Sequence, residues 1–268
     1  MTRLNVDNMQ SIREHHKSNE RFLLQNINCS FLDIGAHAMN IDIRKAELET
    51  LKAACVPITT GLGEITGFSK NVSSILTDCC GVKSFATNNK DIAGFQEAYE
   101  RGADILFAAD DYTFSAFNLK DHLYADNSKA TGRGFAAALE LAAGSMEGME
   151  VLVLGAGPVG QAGADYLTER KAIVKVFDKS IGKAKDLETK NKKVEVLSNL
   201  GNTSWKYILE ATNSTDTISE DNITNDTICS APGVPLGLEE SAINKSKLVI
   251  HNLLELGVVT MLCGVLKV

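Results

Sequence analysis

A chain of 268 residues, 44% hydrophobic and 23% charged, is long enough for two domains and has the composition of an ordinary globular protein. Its net charge of -7 and pI near 5.3 argue against nucleic acid or an anionic membrane surface as partners. No apolar run approaches the ~18 residues of a membrane span, and the first residues lack the apolar core of a signal peptide, so the expected location is the cytoplasm.

The first fifty residues read as polar helix. One helix runs through Met9, Ile12 and His16 toward Phe22 and Leu23, and a second spans Arg44 to Ala54 with Leu48 and Leu51 on its apolar side. His15 and His16 point in different directions on a helix, so solvent exposure is expected for both rather than metal binding. From residue 56 short apolar runs alternate with amphipathic helices. Val56–Thr60, Ser84–Thr87 and Asp104–Ala109 read as strands, with helices through Phe68–Leu76 and Ile92–Glu100 between them. Crossovers of that length return the chain in the same direction, which gives a small parallel sheet. A polar stretch from Asp110 to Ser128 leads into an Ala-rich helix, Lys129 to Ala143, that connects the domains.

The second half alternates strands and helices throughout. Strands are expected at Glu150–Leu154, Ile173–Phe177, Val194–Leu197, Tyr207–Ala211, Thr227–Ser230 and Leu248–His251, with a closing helix from about Val258. Six such strands suit a doubly wound Rossmann sheet of order 3-2-1-4-5-6. The expected fold is therefore α/β: residues 1–147 a smaller, partly helical substrate domain, and residues 148–268 a Rossmann domain. None of the six cysteines forms a C-x-x-C and no Cys/His spacing suits zinc, so reduced thiols and no metal are expected.

Gly155-Ala156-Gly157-Pro158-Val159-Gly160 satisfies G-x-G-x-x-G, with an apolar strand entering and a helix leaving. Gly155 allows the tight turn, Gly157 the approach of a pyrophosphate, and Gly160 close packing of helix on strand. Asp178 ends the next strand eighteen residues after Gly160, where a carboxylate accepts hydrogen bonds from ribose hydroxyls and repels a 2′-phosphate. NAD is therefore expected as cofactor, although Lys179 beside it works the other way. Thr212 and Asn213 after one strand, and Ala231, Pro232 and Gly233 after the next, are candidates for the nicotinamide edge, with Leu256 as a further wall.

In the first domain the same strand-end rule selects Thr60 and the acidic pair Asp110-Asp111, followed by Tyr112, Thr113 and Phe114. Adjacent carboxylates repel, so their placement suggests a cationic ligand, an amine, unless they serve as a helix cap or a solvated loop. No Ser-His-Asp triad and no Lys-Asp pair of the kind used at an alcohol stands out.

The runs VPITTGLGEITGF (56–68), ADILFAADDYTFSAFNLK (103–120) and ADNSKATG (125–132) resemble the pyrrolysine synthase family. So do VLVLGAGPVGQAGADYL (151–167) with Asp178, ILEATNSTDTI (208–218) and CSAPGVPLGL (229–238), which together cover both domains. The resemblance implies an NAD-dependent dehydrogenase acting on a dipeptide-like isopeptide, 3-methyl-D-ornithine joined to the ε-nitrogen of L-lysine. Its terminal amine would be oxidised, ammonia lost and a pyrroline ring closed. Asp111 and Asp110 would hold the ammonium groups at the catalytic centre. Thr60, Phe68, Ser69, Asn118 and Asn127 are then candidates for the substrate pocket, and Leu4 for a lid carried by the first helix. The alternatives are a shikimate- or methylenetetrahydrofolate-dehydrogenase-like oxidoreductase of the same architecture, and an NAD-sensing binding module without catalysis. The apolar C-terminus, Val258 to Val268, offers a surface for a homodimer.

Overall fold

The computed structural model describes residues 6–43, 45–252 and 254–267. They form two compact units, Met1–Ala130 with Leu253–Val268, and Thr131–Asn252. Among the described residues no helix is long and apolar enough to cross a membrane.

Unit 1 opens with helices α1 (Val6–Ile27), α2 (Phe31–Met39) and the short α3 (Lys45–Leu48). Strand β1 (Lys52–Pro57) follows, then α4 (Phe68–Cys80), β2 (Lys83–Ala86), α5 (Asp91–Glu100), β3 (Ile105–Ala109), β4 (Phe114–Asn118) and β5 (Leu123–Asp126). The sheet order is β2-β1-β3-β4-β5. β1 runs parallel to β2 and β3, while β4 is antiparallel to β3 and β5.

Three expectations change here. The periodicity predicts a second helix reaching Ala54, but Lys52–Pro57 is a strand, buried from Ala53 to Pro57. Alanine and lysine favour helix in isolation, and pairing on both edges overrides that preference. The three-stranded parallel sheet is a mixed, five-stranded one, because the polar stretch holds the β4–β5 hairpin with Phe114, Ala116 and Ala125 buried. His16, expected to be exposed, is buried on the α1 stripe with Met9, Ile12 and Leu23, and its Nε2 lies 2.8 Å from Asp78 Oδ2 on α4.

Helix α2 is not among the expected elements, although its signature is present. The Ser30 hydroxyl accepts from Asp33 N at 3.1 Å, and Asp33 accepts from Ser30 N at 2.8 Å, which is a reciprocal cap.

Helix α6 (Asn127–Ala143) leads into unit 2, which contains β6 (Glu150–Leu154), α7 (Pro158–Glu169), β7 (Ile173–Phe177), α8 (Ile181–Lys190) and β8 (Val194–Val196). Then come β9 (Trp205–Glu210), β10 (Ile223–Ala231), α9 (Glu240–Lys245) and β11 (Leu248–His251). All pairings are parallel, in the order β11-β10-β9-β6-β7-β8. Numbered within the unit, that is the doubly wound order expected from the sequence. Val151 to Leu154 are fully buried, as a central parallel strand covered on both faces requires.

The domain boundary differs from the expected 147/148. α6 belongs to unit 2 from Thr131 onward, and a Cβ on Gly132 would lie 2.2 Å from the Val159 carbonyl of α7. The last helix, α10 (Glu255–Gly264), returns to unit 1 and packs on α2 and α4. Leu256 and Val258 through Cys263 are fully buried, so this apolar run is core within its own unit and not the free surface a homodimer would use. An apolar run all round a helix marks burial on all sides.

Candidate active site

The glycine loop takes the shape its three roles require. Gly155 has φ +89°, and a Cβ there would lie 2.6 Å from the Ala211 carbonyl. A Cβ on Gly160 would lie 1.8 Å from the Gly155 carbonyl, so the helix could not pack there with any other residue. Gly157 precedes α7 and has nothing within 4 Å of a would-be Cβ, which leaves its backbone open to a ligand. Pro158 opens the helix with its fixed φ, and no side chain caps the N-terminus. Unpaired N–H groups and the positive end of the helix therefore face the open space beside Gly157, a setting that fits a dinucleotide's phosphates.

Asp178 stands beside this loop, at the end of β7. Its Oδ2 accepts from Ala156 N and its Oδ1 from Ser180 N, both at 2.7 Å, so each carboxylate oxygen keeps a lone pair for a further donor such as a ribose hydroxyl. Lys179 is exposed and donates to Ser214 Oγ at 2.9 Å. Ala156 and Val159 lie in the loop and first turn as expected. Thr212 and Asn213 follow β9, and Ala231, Pro232 and Gly233 end and follow β10, all at the carboxyl edge of the sheet. Leu256 instead lies in α10, in the other unit, with a fully buried side chain.

Sequence reading misses the carboxyl at this edge. Glu210 ends β9, pairs in register with Leu154 just before the glycine loop, and is fully buried. Burial pushes its pKa up, against the opposing effect of hydrogen bonds from the Thr212 hydroxyl, Thr212 N and Gly237 N. Burial and this neighbouring carboxyl together hold the Cys229 thiol well above its ordinary range. The only signal in the sequence is a charged residue closing the apolar run Tyr207–Leu209.

In unit 1 the acidic pair divides its work. Asp110 Oδ1 accepts from Tyr112 N at 2.8 Å and Thr113 N at 2.7 Å, which makes it the cap of the β3–β4 turn. Asp111 reaches the loop after β1: its Oδ2 accepts from Leu62 N at 2.7 Å, and a Cβ on Gly61, with φ +74°, would lie 2.0 Å from that oxygen. Both carboxylates are exposed, as is Thr60. Phe68 stacks edge-on against Phe114, with ring centroids 5.2 Å apart. Ser69 is buried and donates to Glu64 Oε1 at 3.0 Å.

Asn118 does not suit the pocket role given to it. Its Nδ2 donates to Val265 O at 2.9 Å and Asp121 Oδ2 at 3.2 Å, and its Oδ1 accepts from Lys120 N and Asp121 N. Both amide hydrogens and the carbonyl are spent on the β4–β5 turn and the chain after α10, so nothing remains for a substrate. Asn127 is buried at the start of α6. Leu4 lies outside the described residues. Also in unit 1, Glu255 is fully buried and accepts from Asn19 Nδ2 at 2.8 Å. Among the described residues, no group of three or more His, Cys, Asp or Glu side chains is placed to hold a metal.

A doubly wound sheet with this loop defines a dinucleotide-binding α/β class. The fold agrees with that of shikimate 5-dehydrogenase (AroE) from Thermus thermophilus, with a TM-score of 0.54 at 15% identity, over 80% of this chain and 92% of that one. Residues 1–125 match the family described as Pyrrolysine biosynthesis protein PylD, N-terminal domain. Pyrrolysine synthase of Methanosarcina barkeri (strain Fusaro / DSM 804) is 33% identical over 218 residues, 80% of this chain and 81% of that protein. The pyrrolysine synthase of Methanosarcina acetivorans is 34% identical over 226 residues, 80% and 82% of the two chains. The chain belongs to the pyrrolysine synthase family.

Proposed function

We propose that this chain is an NAD-dependent oxidoreductase that oxidises the terminal amine of 3-methyl-D-ornithyl-N6-L-lysine and yields L-pyrrolysine. The observation that carries the reading is the glycine loop, open at Gly157 and flanked by Asp178, in a chain of the pyrrolysine synthase family. Bound at that loop, a nicotinamide dinucleotide would accept the hydride. The balanced reaction is amine plus NAD⁺ giving cyclic imine, ammonia, NADH and a proton. The C–H bond at the amine carbon breaks as hydride, the nitrogen leaves as ammonia, and the α-amino nitrogen takes its place.

The chain's own residues bind and orient. Backbone N–H groups of Gly157 and the first turn of α7 hold the pyrophosphate, and Asp178 takes a ribose hydroxyl and disfavours a 2′-phosphate. Asp111, carried on the rigid turn that Asp110 caps, attracts the substrate's ammonium groups. Thr60 and Phe68 line the same loop region.

The test supplies the isopeptide with NAD and follows NADH absorbance and ammonia together. Equal yields of the two, with NAD binding tighter than NADP and the gap narrowing in Asp178→Asn, are expected. No turnover of the isopeptide, with turnover of shikimate or a folate, would overturn the assignment.

A further inference from the structure

The geometry assigns Glu210 a task beyond the binding roles above. Its register partner is Leu154, so the carboxyl sits one strand from the glycine loop, beside the switch point of the sheet between β6 and β9. It reaches two loops at once. Oε1 accepts from Thr212 N at 2.8 Å and from the Thr212 hydroxyl, and Oε2 accepts from Gly237 N at 3.3 Å.

The space around it is cut to fit. A Cβ on Gly237 would lie 2.7 Å from both Cδ and Oε1 of Glu210. One on Gly233 would lie 2.4 Å from Oε2 and 2.4 Å from the Thr212 carbonyl. Neither glycine has the left-handed backbone that would itself call for glycine. At Gly237 the three atoms nearest a would-be Cβ all belong to the Glu210 carboxyl. Burying a carboxyl is costly, and an apolar residue would fill a core more cheaply, so its hydrogen bonds to the crevice loops are the reason to place it there.

We propose that Glu210 is a positioning residue that pins the 211–214 loop to the 231–238 loop and so shapes the edge of the crevice that receives the nicotinamide half of the dinucleotide. This rests on the dinucleotide reading of unit 2.

The test is a double-mutant cycle on the full chain, with Glu210→Ala, Gly237→Ala and the pair, reading the Kd for NAD by titration and then kcat and both KM values. Each single change is expected to weaken NAD binding about tenfold or more while the KM for the amine stays put. In the Glu210→Ala background, Gly237→Ala should cost almost nothing further, because its clash is gone. Glu210→Gln keeps the Thr212 acceptor and should recover most of the affinity, with a flatter dependence of Kd on pH.

Leu187→Ala, on the buried face of α8, serves as a variant of lowered Tm whose Kd for NAD should not move. Additive single effects, or an unchanged Kd in Glu210→Ala, would overturn the proposal alone. If the alanine variants do not fold, a Glu210→Gln chain with wild-type Kd at every pH does the same. A wild-type chain that binds neither NAD nor NADP would overturn the dinucleotide reading, and this proposal with it.

Discussion

Three carboxylates of unit 1 and one of unit 2 are held in opposite ways. In unit 1, Asp91 receives the Thr59 hydroxyl and N–H, Glu97 the N–H groups of Asn88 and Asn89, and Asp121 the Lys267 ammonium and the Asn118 amide. Each of these carboxyls is held below its ordinary pKa. In unit 2, Glu210 has donors of the same kind, yet burial outweighs them and pushes it up. A hydrogen bond stabilises the ion in both places, and the surrounding medium decides the sign. Near water, the donors outweigh the cost of desolvation. Inside the sheet, the same donors only limit a penalty.

The largest effect should come from carrying burial into unit 1 without the donors. Ala54→Asp places a carboxyl in the fully buried centre of β1, where the neighbouring residues are apolar. A loss of about 3 kcal/mol or more is expected in urea unfolding, and a milder result would mean that Glu210's donors matter less than argued.

Next is Asp111→Asn, which should lower kcat/KM for the amine about tenfold or more and leave NAD affinity unchanged. Equal loss of both would place Asp111 in the wrong binding event.

Glu210→Gln should then change the pH dependence of stability. A raised acid binds its proton more tightly when folded, so the wild type loses stability as pH rises above the ordinary 4.5, until the folded pKa is passed. The slope inside that window is at most about 1.4 kcal/mol per pH unit and should vanish in the variant. Asp91→Asn should give the smallest effect, of opposite sign. A lowered acid contributes above its ordinary 3.8, and that contribution fades as pH falls below it, so only the acid limb of the stability curve should soften. Thermal unfolding across pH, with both variants side by side, checks the pair.

The parallel sheet of unit 2 was legible because short apolar runs alternate with helices, and the most apolar of them, Val151–Leu154, leads straight into the glycine loop. Unit 1 resisted for physical reasons. Lys52-Ala-Ala-Cys55 carries helix-forming residues that only its two neighbouring strands hold extended. The β4–β5 hairpin is framed by Asp110, Asp111, Lys120 and Asp121, which read as loop, and its outward Phe117 and Tyr124 blur the alternation. The candidate site divides in the same way. Backbone roles at 155–160 follow from spacing, whereas the partners of Asp111, Asn118 and Glu210 include segments the sequence does not place side by side.

The return of α10 to unit 1 also sets an order of assembly. Unit 2 is continuous from Thr131 to Asn252, so during synthesis it can close once residue 252 leaves the ribosome. Unit 1 begins first and must wait, because α2 and α4 pack against a helix made only after residue 254. A nascent chain stalled near residue 250 should therefore carry a protease-resistant second half behind a protease-sensitive first half.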